Sequence, residues 1–246
     1  MTPSKKQYYV EVLLVLLASL GASAVYSLIS LVQTLLSPKG LGGSTQTISQ
    51  QTTQDLVFET LYKVVGTAFN LAPAAIALYL LWAVSQRSLK SIGFDLTQIR
   101  KDAPRALLLA ASIGIPGIGL YFAARAFGLA AQIQPSNYSP NAVTVSLMVL
   151  AAIKAGILEE VIVVAYLQDR LERIGFKPRN QLLISAGLRG SYHLYQGFAG
   201  FIGNFVMGLA FGWAYKKWGR VAPLVIAHSI MDTVVFVAYF WLPFAI

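Results

Sequence analysis

The stretch Leu158-Glu159-Glu160-Val161-Ile162-Val163 places two acidic residues side by side in an apolar run that extends from Ala142 to Leu167. A run of this length can cross a bilayer, because about 20 apolar residues span the hydrocarbon core. A carboxylate there costs about 2.5–3.5 kcal/mol on insertion scales, so an ionisable residue inside a span usually marks a functional site. Glu159 and Glu160 are therefore the first candidate functional residues, and their partners must come from other spans.

The composition predicts the fold class. Of the 246 residues, 56% are hydrophobic and 12% are charged, whereas a soluble domain has about 25% charged residues. We therefore predict an all-α, polytopic transmembrane helical bundle. The net charge of +9 comes from Lys and Arg in short loops between apolar runs, as the positive-inside rule expects, so we predict no nucleic-acid partner. The absence of cysteine excludes disulfides, thiol catalysis and thiolate metal sites.

Seven apolar runs are predicted to span the membrane. The N-terminus and the loops after spans two, four and six are basic, and the other loops carry almost no positive charge. This alternation predicts a multi-pass protein of the cell membrane with its N-terminus inside. Ala22-Ser23-Ala24 resembles a signal-peptide cleavage site, but the apolar run continues beyond it, which favours a retained first span. The predicted spans are about residues 10–36, 56–84, 106–131, 142–167, 181–195, 199–215 and 221–242.

Several local features of the spans carry structural expectations. Glu59 and Lys63 are spaced i,i+4, which predicts a local ion pair near the start of the second span. Pro73 is expected to kink that span. Gly208 and Gly212 form a small-residue face that permits close helix packing inside the bundle. The stretch 37–54 is rich in Gly, Ser, Thr and Gln and is predicted to be a polar loop.

Acid and imidazole groups on three predicted spans lie at similar depths in the membrane. From the cytoplasmic ends of their spans, Glu159 lies about 13 Å inward, His193 about 18 Å, His228 about 10 Å and Asp232 about 16 Å, at 1.5 Å per residue. Three spans far apart in sequence thus contribute polar groups at similar depth. The sequence therefore predicts one polar site in the inner half of the membrane.

Other side chains are candidates to support this site. A buried glutamate needs a cationic or donor partner, and Arg189, Lys154 and the two histidines are the nearest choices. Tyr166 lies seven residues after Glu159, on the same face of an α-helix, and is predicted to donate a hydrogen bond. Asn204 either lines the cavity or holds two helices together. Tyr192 and Tyr195 are interpreted as packing or membrane-belt aromatics.

These residue types suit hydrolysis. A carboxylate in an apolar pocket can act as a general base for water, and imidazoles at the same level can orient that water or stabilise a developing oxyanion. Glu159, His193 and His228 would also make a zinc site with water as the fourth ligand. No HExxH motif occurs, so such ligands would have to converge from different helices. Zinc-dependent and metal-free chemistry both stay open.

In order and spacing, the motifs resemble those of the CPBP intramembrane proteases, also called the Abi or CAAX-type prenyl endopeptidase family. Glu159-Glu160 matches the first family motif, His193 ends the second, and His228-Ser229-Ile230-Met231-Asp232 matches the third. The resemblance covers about residues 142–239. It implies that Glu159 is the base for the attacking water, assisted by His193. It also implies that His228 and Asp232 stabilise the oxyanion and that Glu160 has a supporting role.

The sequence departs from the family pattern at two positions. Val164 stands where the family has an arginine after the glutamate pair, and Arg189 stands where the second motif has a phenylalanine. We hypothesise that Arg189 supplies the missing cation from the neighbouring helix. Because of these departures, cleavage of prenylated CAAX substrates is not assumed.

The predicted function is intramembrane hydrolysis of a peptide bond, in a peptide or protein substrate that is embedded in the membrane or anchored to it by lipid. One alternative is a non-catalytic membrane scaffold or immunity-type binding protein of the same fold. Another is a small transporter component that uses Glu and His as a proton relay, although no inverted repeat is evident. We predict one continuous membrane domain, in contact with membrane lipid, with N-terminal helices in 1–141 and the protease-like core in 142–246.

Overall fold

The structure is a computed structural model that describes residues 3–238 and residue 240. In this part of the chain it is a helical bundle with one small sheet, which confirms the predicted fold class. A π-helix follows α6 at Glu160–Tyr166, and a single 3₁₀ turn, Leu194–Gln196, follows α8. The α-helices are α1 Lys5–Leu17, α2 Leu20–Leu36, α3 Leu56–Asn70, α4 Ala72–Ser85, α5 Ile99–Ala126, α6 Ala142–Glu159, α7 Leu167–Ile174, α8 Pro178–Ser191, α9 Phe198–Trp218 and α10 Ala222–Ala238.

Three helical stretches among the described residues are long and apolar enough to cross a membrane, namely Leu56–Ser85, Ile99–Ala126 and Phe198–Trp218. The pair α1 and α2, bent by 55° at their junction, would make a fourth. The number of seven spans and the orientation of the N-terminus stay predictions. Helix α10 is apolar but shorter, and the end of the predicted seventh span, at 239 and 241–242, lies outside the described residues.

The second predicted span is broken near Pro73. Helix α3 ends at Asn70 and α4 begins at Ala72, so Leu71 alone separates them. Pro73 lies in the first turn of α4, where a missing N–H breaks no helical hydrogen bond. The proline therefore acts at a helix start, next to the break.

The stretch 37–54, which was predicted to be a polar loop, contributes one of two short parallel strands, and the segment that precedes α6 contributes the other. Strand β1, Thr45–Ser49, pairs with β2, Gln132–Ser136. Beside them, the predicted ion pair between Glu59 and Lys63 is present at 3.6 Å. The Tyr138 hydroxyl also donates to Glu59, at 2.5 Å. Glu59 therefore joins α3 to the loop that precedes α6, beyond its local pair.

A second set of ion pairs joins three helices around Arg170. Arg170 is fully buried, and its guanidinium contacts Glu11 of α1 at 2.5 Å and Asp169 at 2.6 Å. It also donates to the Ser85 hydroxyl at the end of α4, at 2.6 Å. One arginine thus links α1, α4 and α7.

The core of the bundle surrounds the π-helix, all seven residues of which are buried. Helices α6 and α10 approach closely at Gly156, where an added Cβ would lie 2.7 Å from the Ser229 hydroxyl and 2.9 Å from the Val225 carbonyl. Gly208 and Gly212 likewise leave room for α8 and for Gln168 of α7, so the predicted small-residue face serves packing inside the bundle.

Candidate functional site

The two glutamates lie at a change of helix type. Glu159 ends α6 and Glu160 begins the π-helix. A π-helix has i→i+5 hydrogen bonds and is rare, and it is often found at functional sites. The Ser185 hydroxyl donates to the Val163 carbonyl at 2.7 Å, so α8 helps to satisfy the backbone of this segment. The local structure thus sets the directions of both carboxylates.

Glu160 is completely buried and has two partners on one oxygen. Its Oε1 accepts a hydrogen bond from Arg189 Nη2 at 2.7 Å and lies 2.7 Å from His228 Nδ1. Its Oε2 has no hydrogen-bond partner among the described residues. The hypothesis that Arg189 brings a cation to the glutamate pair from the neighbouring helix therefore agrees with the contacts.

Glu159 is the more accessible of the two, with 9% of its surface exposed. Its Oε2 accepts a hydrogen bond from the Tyr192 hydroxyl at 2.7 Å and lies 3.7 Å from Arg189 Nη1. Interpreting Tyr192 as only a packing aromatic was wrong, because its hydroxyl binds the candidate base. A buried tyrosine hydroxyl usually needs a partner, and its place next to His193 was the available signal.

His193 lies just beyond the end of α8 and is half-buried. Its Nδ1 lies 3.0 Å from the carbonyl oxygen of Arg189, and because a carbonyl only accepts, Nδ1 carries the proton. The other nitrogen, Nε2, is then free to accept a proton in the neutral ring. The ring of Tyr192 packs against this imidazole, with centroids 4.7 Å apart, so one tyrosine contacts both Glu159 and His193.

His228 lies between two carboxylates. Its Nδ1 contacts Glu160 at 2.7 Å, and its Nε2 lies 3.5 Å from Asp232 Oδ2, one turn further along α10. Carboxylates accept hydrogen bonds, so both ring nitrogens are best satisfied as donors. The carboxylate of Glu159 interacts electrostatically with both histidines and with Arg189. Five of the predicted residues thus form one cluster around the glutamate pair, with Asp232 at its edge.

Three predicted supporting residues do not join this cluster. The Tyr166 hydroxyl donates to Glu11 at 2.9 Å, away from Glu159, so that prediction was wrong. The reason is the π-helix, which has more residues per turn than an α-helix, so a spacing of seven no longer returns to the same face. Asn204 donates to the Gly200 carbonyl of its own helix, at 3.0 Å. Lys154 is half-buried and makes no ion pair with the described residues.

The predicted zinc ligands do not fit a metal ion. Among the described residues, no group of three His, Cys, Asp or Glu side chains lies close enough to hold one. Both ring nitrogens of His228 face carboxylates, so neither is free to bind a metal ion. No reaction step is therefore derived through zinc.

Comparison with known proteins points to the same part of the chain. Residues 141–234 match the family model described as "Type II CAAX prenyl endopeptidase Rce1-like". The matched range contains all eight predicted site residues. Neither the curated proteins nor the solved structures gave a significant match.

Proposed function

We propose that this protein, whose residues 141–234 are similar to the Rce1-like type II CAAX prenyl endopeptidases, is an intramembrane endopeptidase. Glu159 would be its general base. The substrate would be a peptide or protein that is embedded in the membrane or anchored to it by lipid. The main support is the unequal engagement of the two glutamates. Glu160 is fully buried between Arg189 and His228. Part of the surface of Glu159 is exposed, and its carboxylate accepts one short hydrogen bond, from the Tyr192 hydroxyl.

The reaction would begin with water between Glu159 and His193. Glu159 takes a proton from the water as the oxygen attacks the peptide carbonyl carbon, and a tetrahedral intermediate forms. The free Nε2 of His193 orients the water by accepting a hydrogen bond from its second O–H group. The C–N bond then breaks, and the proton held by Glu159 passes to the leaving amine. General acid–base catalysis of this kind contributes about 10²–10⁴-fold to a rate.

The N–H groups of His228 would stabilise the oxyanion. Its Nε2 is the freer donor, because Asp232 lies at 3.5 Å while Glu160 holds Nδ1 at 2.7 Å. Glu160 would then position His228 and take no part in proton transfer. Arg189, which contacts both glutamates, would keep the two carboxylates charged and close together.

The test is cleavage of lipid-anchored and unmodified peptides by the purified protein in liposomes. Wild type is compared with Glu159→Gln and, as a matched control, with Glu172→Gln, which alters an exposed carboxylate on α7. We expect product from wild type and the control, and at least a hundredfold less from Glu159→Gln. Equal rates from all three proteins would remove Glu159 as the base. An absence of product from wild type would favour the scaffold alternative.

A further inference from the structure

Lys154 is a half-buried lysine in α6 that makes no close polar contact with the residues that the structure describes. It lies twelve residues after the start of α6 at Ala142, about 18 Å along the helix axis. This depth is too great for a lysine side chain to bring its ammonium group back to the outer end of the helix. The side chain is half-buried and makes neither an ion pair nor a hydrogen bond with the described residues. An unpaired charge at such a depth is costly, which points to a function.

The packing of α6 against α10 places Lys154 beside the catalytic cluster. Glu160 contacts His228, Gly156 approaches Ser229, and Ala152 packs with Phe236, so the two helices run antiparallel. Lys154 and Asp232 therefore lie at similar levels, beyond the contact at Gly156. Electrostatic interactions join Lys154 to Glu159 and Asp232.

The neighbouring acidic groups already have other partners. Asp232 lies against His228, and Glu159 accepts from Tyr192. On α3, Lys63 is held by Glu59 and by the Gln50 carbonyl, although it also interacts electrostatically with Lys154. Among the described residues, no acidic group is therefore in direct contact with the ammonium group of Lys154, which can bind a further anion.

We infer that Lys154 binds a carboxylate of the substrate peptide and so helps to select the bond that is cleaved. This inference rests on the proposed endopeptidase function. Lys154 lies five residues before Glu159, about 7.5 Å along the axis, and an extended peptide advances about 3.3 Å per residue. The carboxylate would therefore lie two or three residues from the scissile bond. It would be either the C-terminal carboxylate of the substrate or an acidic side chain.

The experiment measures both binding and cleavage with matched peptides. One pair of lipidated peptides differs only in a C-terminal carboxylate or amide, and a second pair differs only in Asp or Asn three residues from the cleavage site. The proteins are wild type, Lys154→Met and Lys154→Arg, with Lys101→Met as a control at an exposed lysine. Binding is measured in a Glu159→Gln background, so that no peptide is consumed.

We expect the wild-type side chain at 154 to bind the carboxylate form of one pair about tenfold to a hundredfold more tightly than its neutral form. Lys154→Met should remove this difference, Lys154→Arg should keep part of it, and Lys101→Met should leave it unchanged. The pair that shows the difference identifies the source of the carboxylate. Cleavage by the proteins with Glu159 intact should show the same preference in kcat/KM.

Two outcomes would overturn the inference. One is equal binding of the charged and neutral forms of both pairs. The other is an equal loss with all four peptides in Lys154→Met, which would mean that Lys154 acts on the catalytic cluster alone. A failure of the proposed function looks different, because the wild type would then bind peptides without cleaving any of them.

Discussion

Arg189 and Glu160 form an ion pair in which both side chains are fully buried, with Nη2 of the arginine 2.7 Å from Oε1 of the glutamate. Helix α8 supplies the cation and the π-helix supplies the anion, while Val164, at the position where the family has arginine, is buried in the apolar core. The same guanidinium lies 3.7 Å from Glu159. A cation from the adjacent helix therefore serves both glutamates.

Removing this cation should destabilise the protein. Arg189→Met removes the arginine from the buried Glu160 and leaves His228 as its remaining partner, and the loss of one partner of a buried ion pair costs about 3–5 kcal/mol. We expect a lower unfolding temperature in detergent, measured by circular dichroism, together with a loss of cleavage.

The double variant Arg189→Met with Glu160→Gln is the control for that loss. It removes both charges, so we expect it to recover most of the stability but not the activity, because His228 would lose its charged partner. Unfolding temperatures that fall by equal amounts in the single and double variants would contradict the role of the ion pair.

Tyr192→Phe tests the hydrogen bond to Glu159. The change removes one hydroxyl and keeps the ring that packs against His193. A hydrogen bond to a charged group contributes about 1.5–3 kcal/mol, so we expect kcat to fall about tenfold to a hundredfold. The pH profile of kcat should also shift, since Glu159, the proposed base, would lose a hydrogen-bond donor.

Tyr195→Phe is the matched control for this prediction. The Tyr195 ring also lies near His193, with centroids 6.4 Å apart, but its hydroxyl bonds to Gln196. We expect a small effect on kcat and an unchanged pH profile. Similar profiles for both variants would show that the Tyr192 hydroxyl does not act on the base.

Gly156→Ala tests the approach of α6 to α10. The new methyl group would come within 2.7 Å of the Ser229 hydroxyl and 2.9 Å of the Val225 carbonyl, so α10 must move and take His228 with it. Overpacking of this kind costs about 1–3 kcal/mol, and we expect both the unfolding temperature and kcat to fall. In Gly117→Ala the methyl group meets nothing within 4 Å, so that variant should match wild type. A wild-type kcat in Gly156→Ala would show that the site tolerates a shift of α10.

Arg170→Met tests the ion pairs that join α1 to α4 and α7. Glu11 and Asp169 would each lose a contact with a fully buried cation, although Asp169 would keep Arg87 and Arg173. We therefore expect a lower unfolding temperature. Because this arginine lies outside the candidate site, kcat of the fraction that stays folded should change little at low temperature. A large fall in kcat with an unchanged unfolding temperature would contradict a structural role.

Asp95 predicts a pH dependence of stability. Hydrogen bonds from the Thr97 side chain and from Arg220 lower the pKa of this loop carboxylate from 3.8 to about 2. A carboxylate whose pKa is lower in the folded state than in the unfolded state stabilises the fold when the pH is above the unfolded-state pKa. This stabilisation is lost as the pH falls through the folded-state pKa. We expect the gap in unfolding temperature between wild type and Asp95→Asn to be constant above pH 5 and to close between about pH 4 and pH 2. A gap that is the same at pH 2 and pH 5 would contradict this account.

Part of the candidate site was predictable because Glu159, His228 and Asp232 lie on regular α-helices. His228 and Asp232 are one turn apart on α10, and depth counting placed them with Glu159 and His193. The Tyr166 prediction was wrong because it assumed α-helical periodicity through Glu160–Tyr166, where the chain forms a π-helix. Tyr192 was missed because the sequence does not reveal where the hydroxyl of an aromatic side chain points.

The sequence by itself determined that this is a helical membrane protein with an acid–imidazole cluster, because charge in an apolar run is costly and must be paired. The sequence also indicated the family whose model matches residues 141–234. Only the tertiary structure decided which glutamate pairs with Arg189 and His228, and which one faces Tyr192. Those choices depend on side-chain directions around the π-helix and on the approach of α8 and α10, which come from packing between segments far apart in the chain.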